Sequence, residues 1–209
     1  HWAGLGEALL MMVIGLTGKI CAGKNQYAAL FEEWGALVVD VDLLGHAVLD
    51  EQREQIIARF GAEVATEGKI NRSALASRVF SDSVALKALE AILHPAMVER
   101  CRSIIAESIA PVVVLNAALL YRMGLADLCD RILFIKAPLF LRYRRCKLRQ
   151  GLSWSAFKAR NNAQKDIKVS LCKGKSEVQV FHNGGSRTII HRQVTNYCDT
   201  IGTDISALR

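Results

Sequence analysis

The chain has 209 residues, 51% of them hydrophobic and 22% charged, with a formal charge of +7. That balance excludes a disordered or fibrous chain and suits one α/β domain with an insertion, or two small domains sharing one core. The excess of cations favours anionic partners, whether nucleotides, phosphorylated metabolites or nucleic acid, without choosing among them.

Residues 1–10 lack a basic leader and merge into the first apolar run. They are too short to span a membrane and read as an extension or a start-site artefact, with Met11 or Met12 where a domain would begin. Met12-Val13-Ile14-Gly15-Leu16 then suits a buried parallel strand. Gly18-Lys19-Ile20-Cys21-Ala22-Gly23-Lys24-Asn25 follows as a glycine-rich turn. Such a turn, set before a helix, aims backbone N–H groups at the β- and γ-phosphates of a nucleotide. Lys24 adds a point charge, and the pattern is G-x-x-x-x-G-K-[ST] in all but Asn25. Tyr27, Leu30, Phe31 and Trp34 recur at helical spacing, and Gly35 suits the end of that helix.

Ala36-Leu37-Val38-Val39 is a second run, closed by Asp40-Val41-Asp42. Two carboxylates two apart on a strand end are expected on one face, where one could take a hydroxyl proton or bind Mg²⁺ through water; a strand-end or helix cap is the equal alternative. No strong strand signal follows until residue 111. Asn71 or Ser73, then Ser81 or Asp82, suit helix caps, and Pro95 suits the first turn of a further helix, with His94 as its start residue. This stretch reads as a helical insertion at the C-terminal edge of a sheet, where open α/β folds bind substrates.

Pro111–Leu115 closed by Asn116, Ile132–Ile135, and Val178–Phe181 closed by His182-Asn183-Gly184-Gly185 complete five runs. Together they predict a parallel sheet covered on both faces. Between the last two, Pro138–Gln150 and Ser153 to about Lys168 form a second helical excursion carrying Arg142, Arg144, Arg145, Lys147 and Arg149. Beside a phosphate loop, that cluster reads as a mobile anion-binding flap that excludes water. Loop, acid and arginine flap are the parts phosphoryl transfer needs, so a kinase of a small hydroxyl-bearing metabolite is expected. The six cysteines, at 21, 101, 129, 146, 172 and 198, make no zinc-like or Cys-x-x-Cys spacing and read as reduced thiols. Cys21 lies in the loop, where N–H dipoles lower a thiol's pKa, though a filler residue is the plainer reading.

Over about Met12 to Thr200 the chain resembles the dephospho-coenzyme A kinases. Ile14-Gly15-Leu16-Thr17-Gly18 with Ala22-Gly23-Lys24 is similar to that family's I-G-L-T-G…S-G-K, and Asp40-Val41-Asp42 to its D-A-D. Arg72, Leu75, Val79 and Phe80 match R-x-x-L-x-x-x-V-F, and Leu93-His94-Pro95 matches L-H-P. Ala118-Leu119-Leu120-Tyr121 with Gly124-Leu125 resembles P-L-L-F-E-x-G-L. Arg145, Arg149, Gly151, Leu152, Ser153, Arg160 and Gln164 match the lid pattern R-x-x-x-R-x-G-L-S…R-x-x-x-Q, and Asn183-Gly184 ends the last strand as N-x-G does.

The resemblance implies a five-stranded parallel sheet of the P-loop nucleoside-monophosphate-kinase type, with a helical substrate insertion and a helical lid. The core would be residues 11–45, 110–137 and 170–205, the insertion 46–109 and the lid 138–169. It implies transfer of ATP's γ-phosphoryl group to the ribose 3′-hydroxyl of dephospho-coenzyme A, the last step of coenzyme A biosynthesis. Asp42 would be the general base, Lys24 would hold the β/γ-phosphates, and Arg145 and Arg149 would close over the transferring group. Gly18, Cys21, Ala22, Gly23, Lys24, Asn25 and Gln26 would cradle ATP, with Asn183 and Gly184 near its adenine. Arg72 and His94, with Asp42, would contact the acceptor, and Asn25 would meet Mg²⁺. A cytoplasmic monomer or weak oligomer is expected, without nucleic-acid or membrane partners. The alternatives are a related kinase of another nucleoside or nucleotide, and a nucleotide-binding homologue with weakened catalysis. Four departures concern the metal and phosphate surroundings: Asn25 for Ser/Thr, Asn116-Ala117-Ala118 for Asp-x-Pro, Arg122 for Glu and His46 for Arg.

Overall fold

The computed structural model describes residues 11–80, 82–172 and 176–207; the expectations for residues 1–10 and for Ser81 lie outside them. In chain order the elements are β1 (Met12–Thr17), α1 (Lys24–Glu33), β2 (Leu37–Asp40), α2 (Val41–Glu51), α3 (Arg53–Phe60), β3 (Ala65–Thr66) and β4 (Lys69–Ile70). Then come α4 (Arg72–Phe80), α5 (Ser83–Glu107), β5 (Val112–Asn116), β6 (Arg131–Lys136), α6 (Leu139–Gln150), α7 (Trp154–Ala163), β7 (Glu177–His182) and α8 (Arg187–Ala207). The chain divides into two compact units, residues 40–104 and the remainder.

In the larger unit all five apolar runs become strands of one parallel sheet, ordered β2-β5-β1-β6-β7. β1 is central and buried throughout, pairing Met12 to Val112 on one side and Ile14 to Arg131 on the other. Strands covered on both faces need unbroken apolar sequence, which is what these runs supply. Tyr27 and Phe31 turn inward from α1, as their spacing predicts, and meet Phe181 of β7 and Ile190, Val194 and Tyr197 of α8. Ring centroids of Phe181 and Tyr197 lie 5.7 Å apart, edge to face, a favoured aromatic geometry. Tyr27 Oη also donates to Gln193 Oε1 at 2.8 Å. The helix behind the glycine turn is therefore anchored by its buried side. No described helix is long and apolar enough to cross a membrane.

The smaller unit has its own core, with Leu49, Ile56, Phe60, Val64, Leu75 and Leu89 among its buried members. Asn71 Oδ1 accepts the Ala74 N–H at 3.0 Å and Asp82 Oδ1 the Val84 N–H at 2.8 Å, so two of the anticipated caps are made. Three expectations are corrected. The stretch holds a short antiparallel hairpin, β3–β4, turned through Glu67 and Gly68 at φ 50° and 75°; two left-handed central residues make the turn whose twist matches a hairpin. Pro95 starts no helix. It lies inside the 25-residue α5, which forgoes the backbone hydrogen bond a proline nitrogen cannot donate. Asp40 and Asp42 do not share a face of one strand; the equal alternative, a helix cap, holds for Asp40. Asp40 ends β2 and caps α2, its Oδ1 accepting the Leu43 N–H at 3.0 Å, while Asp42 is exposed in the first helical turn.

Candidate active site

β1 delivers the chain to the glycine turn from the middle of the sheet. Gly18 (φ 151°) passes so close to the Ile135 carbonyl that a Cβ would collide with it. Gly23 (φ 99°) caps α1 from the left-handed region, and a Cβ there would collide with Asn183 Nδ2. No side chain caps α1, its Gln26 N–H turns back to the Gly23 carbonyl at 2.9 Å, and Lys24 is the first helical residue.

Residues from distant points of the larger unit hold this turn in shape. Asn183, completely buried just past β7, donates from Nδ2 to the Ala22 carbonyl at 2.9 Å and to Gln26 Oε1 at 3.1 Å. Its Oδ1 accepts from Arg145 Nη2 at 2.8 Å and from the Gly185 N–H at 3.1 Å. Arg145 Nη1 also donates to the Ala22 carbonyl at 3.2 Å. The Asn183 amide is thus spent on the protein and acts as a strut under the turn. On the other flank, Gln164 Oε1 accepts the Ile20 N–H at 2.7 Å. Arg142, buried in α6, donates to the Ile20 carbonyl at 3.4 Å and to Asn161 Oδ1 at 2.9 Å, and lies over the Phe157 ring.

The structure brings together Gly18 to Gln26, Arg145 and Asn183. Arg149 joins them through a cavity of about 390 Å³ that it lines with Asn25, Gln26, Leu30, Arg187 and Ile190. Gly184 lies exposed beside Asn183. Asp42, Arg72 and His94 belong to the smaller unit. There Arg72 pairs with Asp50 at 3.6 Å, and His94 is half-buried on α5.

The sequence reading gave Arg142 no individual role. Its place in the arginine cluster was a signal, but nothing in the spacing marked it as the buried member. Cys146 was missed outright. It is bonded to Cys21 across 5.8 Å between Cα atoms, which corrects the expectation of six reduced thiols. The other four, Cys101, Cys129, Cys172 and Cys198, are not disulfide-bonded.

Electrostatically the turn is prepared for an anion. Burial first, then Arg142 and Lys168, push the Lys19 ammonium below the ordinary lysine value, with Asp166 opposing. A cavity of about 630 Å³, lined by Lys19, Ala22, Phe134, Lys136, Arg142 and Lys168 among others, opens beside the turn. That volume suits a nucleotide-sized ligand. At the start of α1, Asn25 Oδ1 accepts from Asn116 Nδ2 at 3.1 Å, while Asn116 Oδ1 is buried without a hydrogen-bond partner. Two neutral oxygens, one of them unsatisfied, can serve a hard cation, which takes oxygen ligands and retains waters. Among the described residues no three His, Cys, Asp or Glu side chains gather as a metal cluster.

Comparison with known proteins agrees with this geometry. The family model described as Dephospho-CoA kinase matches residues 12–185. A Dephospho-CoA kinase of Thermus thermophilus is 37% identical over 186 residues, covering 89% of this chain and 90% of the relative. A crystal structure from Thermus thermophilus superposes with a TM-score of 0.77 at 33% identity, over 91% of this chain and 97% of the other. A Dephospho-CoA kinase structure from Campylobacter jejuni gives 0.65 at 25% identity, over 92% and 98%.

Proposed function

The chain belongs to the dephospho-CoA kinase family, and on that premise we propose that it transfers the γ-phosphoryl group of ATP to the ribose 3′-hydroxyl of dephospho-coenzyme A, releasing coenzyme A and ADP. The observation that carries the reading is the glycine turn at the head of α1 with a lid-helix arginine hydrogen-bonded onto it. That is the donor half of a phosphoryl-transfer site, which works by positioning and charge neutralisation more than by covalent chemistry.

Gly18 to Gln26 hold ATP's phosphates through backbone N–H groups and the α1 N-terminus, and Lys24 supplies the point charge. Arg145 and Arg149 close over the equatorial oxygens of the group in flight. Asn183 sets the shape of the turn, and Gly184 gives the adenine a neighbour without a side chain. Asp42 orients the 3′-hydroxyl and accepts its proton, with Arg72 and His94 on the acceptor. Asn25 Oδ1 and Asn116 Oδ1 are the protein oxygens that would hold Mg²⁺, which when bound neutralises phosphate charge. A monomer or weak oligomer in the cytoplasm is the setting this reading supposes.

The test is ADP formation by the full chain, with ATP and a choice of acceptors. Turnover that requires both Mg²⁺ and dephospho-coenzyme A, and that nucleoside monophosphates do not support, bears the reading out. Folded, ATP-binding protein that makes no ADP across a Mg²⁺ and Mn²⁺ series overturns it in favour of a binding homologue. The Asn25–Asn116 amide pair is the observation that would explain that outcome.

A further inference from the structure

We propose that Cys21 and Cys146 form a reversible thiol–disulfide modification site, written and erased by a small-molecule thiol/disulfide couple, that fastens the lid helix to the phosphate loop. The bond joins the turn after β1 to α6 over 125 residues of sequence. It lies directly beside a second tie between the same segments, the Arg145 hydrogen bond to the Ala22 carbonyl. Cys21 is half-exposed in the left-handed region at φ 55°, whereas Cys146 is fully buried. An incoming disulfide therefore meets Cys21 first, and Cys146 is placed to resolve the mixed disulfide.

The exchange balances without further reagents. The Cys21 thiolate attacks one sulfur of R–S–S–R and expels R–S⁻, which takes up the proton Cys21 lost. The Cys146 thiolate then attacks Cys21 Sγ, closes the protein disulfide and expels the second R–S⁻, which is protonated in turn. Two electrons pass from the protein to the small disulfide, and excess R–SH reverses both steps. The remaining thiols are poorly placed to compete. Burial raises Cys101 to about 11 and Cys198 to about 12, and it raises Cys172 as well, so none of the three is favoured over the more accessible Cys21 as the first thiolate. In reducing compartments a disulfide at such a place is characteristically transient and regulatory.

The consequence follows from what the bond spans. With it closed, α6 cannot leave the turn, and Arg145 stays on Ala22 and Asn183 instead of moving onto a transferring phosphoryl group. Lid motions of this kind commonly limit turnover. The reduced form is then the working enzyme, and the oxidised form retains ATP but cycles slowly. Only the activity readout rests on the kinase reading above.

The experiment incubates the full chain in mixtures of reduced and oxidised glutathione, then measures three things. Non-reducing peptide mass mapping reads the Cys21–Cys146 crosslink, calorimetry reads ATP binding, and ADP release reads turnover. The crosslinked peptide should accumulate with oxidised glutathione while ATP binding persists. Turnover should fall about tenfold and return with dithiothreitol. Cys146→Ser, or Cys146→Ala if serine is not tolerated at that buried position, should form no crosslink and should instead accumulate the Cys21–glutathione mixed disulfide as oxidised glutathione rises. No crosslink in any mixture, a crosslink with unchanged turnover, or a Cys146 variant whose Cys21 takes up no glutathione each overturns the proposal. Reversible crosslinking of a protein that makes no ADP in either state supports the modification site and overturns the kinase reading instead.

Discussion

Arg145 donates through Nη2 to Asn183 Oδ1 across 2.8 Å, while the same asparagine's Nδ2 holds the Ala22 carbonyl at 2.9 Å. Helix α6, the end of β7 and the glycine turn thus converge on one buried carboxamide. A lysine at 145 could supply charge but not the planar fork that serves Asn183 and Ala22 together. Arg145→Lys should lower kcat about a hundredfold. Steady-state kinetics with saturating ATP would show it, and a kcat within threefold or so of wild type would remove Arg145 from the reacting centre.

Gly23 tests the turn from the other side. Its φ of 99° and the collision of any Cβ with Asn183 Nδ2 penalise every other residue. Gly23→Ala should destabilise the fold by about 2 kcal/mol. It should also weaken ATP binding. A urea midpoint equal to wild type would contradict this.

Asp42 is exposed in the first turn of α2 and carries the proposed proton-accepting role. Asp42→Asn keeps the shape and removes the base. Turnover should drop by about two to four orders of magnitude, the usual range for a general base, while ATP affinity stays near wild type. Unchanged turnover would assign the proton elsewhere.

Asn116→Asp places a carboxylate where a buried amide oxygen now lacks a hydrogen-bond partner. The Mg²⁺ concentration for half-maximal turnover should fall about tenfold. Without a divalent cation the variant should melt below wild type, since a buried carboxylate then lacks a counter-charge. A Mg²⁺ titration with paired melting curves reads both, and an unmoved titration would place the ion away from residue 116.

The Arg122–Asp166 pair gives a pH signature. Burial alone would raise the Asp166 carboxyl, but hydrogen bonds from Arg122 outweigh it and leave the group below the ordinary aspartate value. Arg122 reaches both carboxylate oxygens at 2.7 Å. A carboxyl depressed by folding adds stability above its unfolded value and loses it as pH falls through the folded value. Wild type should therefore lose melting temperature faster than Asp166→Asn as pH drops below about 4. Parallel curves over that range would show the pair to be stability-neutral.

Much of the fold was legible because its three central strands, β5, β1 and β6, are buried on both faces. Such strands must be short apolar runs, and Met12–Leu16, Pro111–Leu115 and Ile132–Ile135 have few other readings. The helix face of Tyr27 and Phe31 was equally plain, since both side chains end up buried. Pro95 misled because a proline in a first turn costs nothing, whereas α5 accepts the interior penalty with the ring exposed. The β3–β4 hairpin escaped notice because two-residue strands are too short to show alternation.

The site was legible in part, for the same physical reasons. The glycine turn declares itself locally, because its backbone needs residues without Cβ. The strut beneath it does not, since Asn183 and Ala22 are 161 residues apart and only the fold joins them. The Cys21–Cys146 bond has the same character, and so does the burial of Arg142.

The central position of β1 also shapes how the protein is made. The glycine turn leaves the ribosome before the segments that hold it, since its strand pairs with residues 112–116 and 131–134, and its strut is residue 183. Pairings between residues so far apart in sequence form slowly, after long loops have closed. A nascent chain that stops short of β5 carries the glycine turn without the strands that flank β1 or the Asn183 strut. The turn therefore takes its shape only after residues 112–116, 131–134 and 183 have been made and have paired with it.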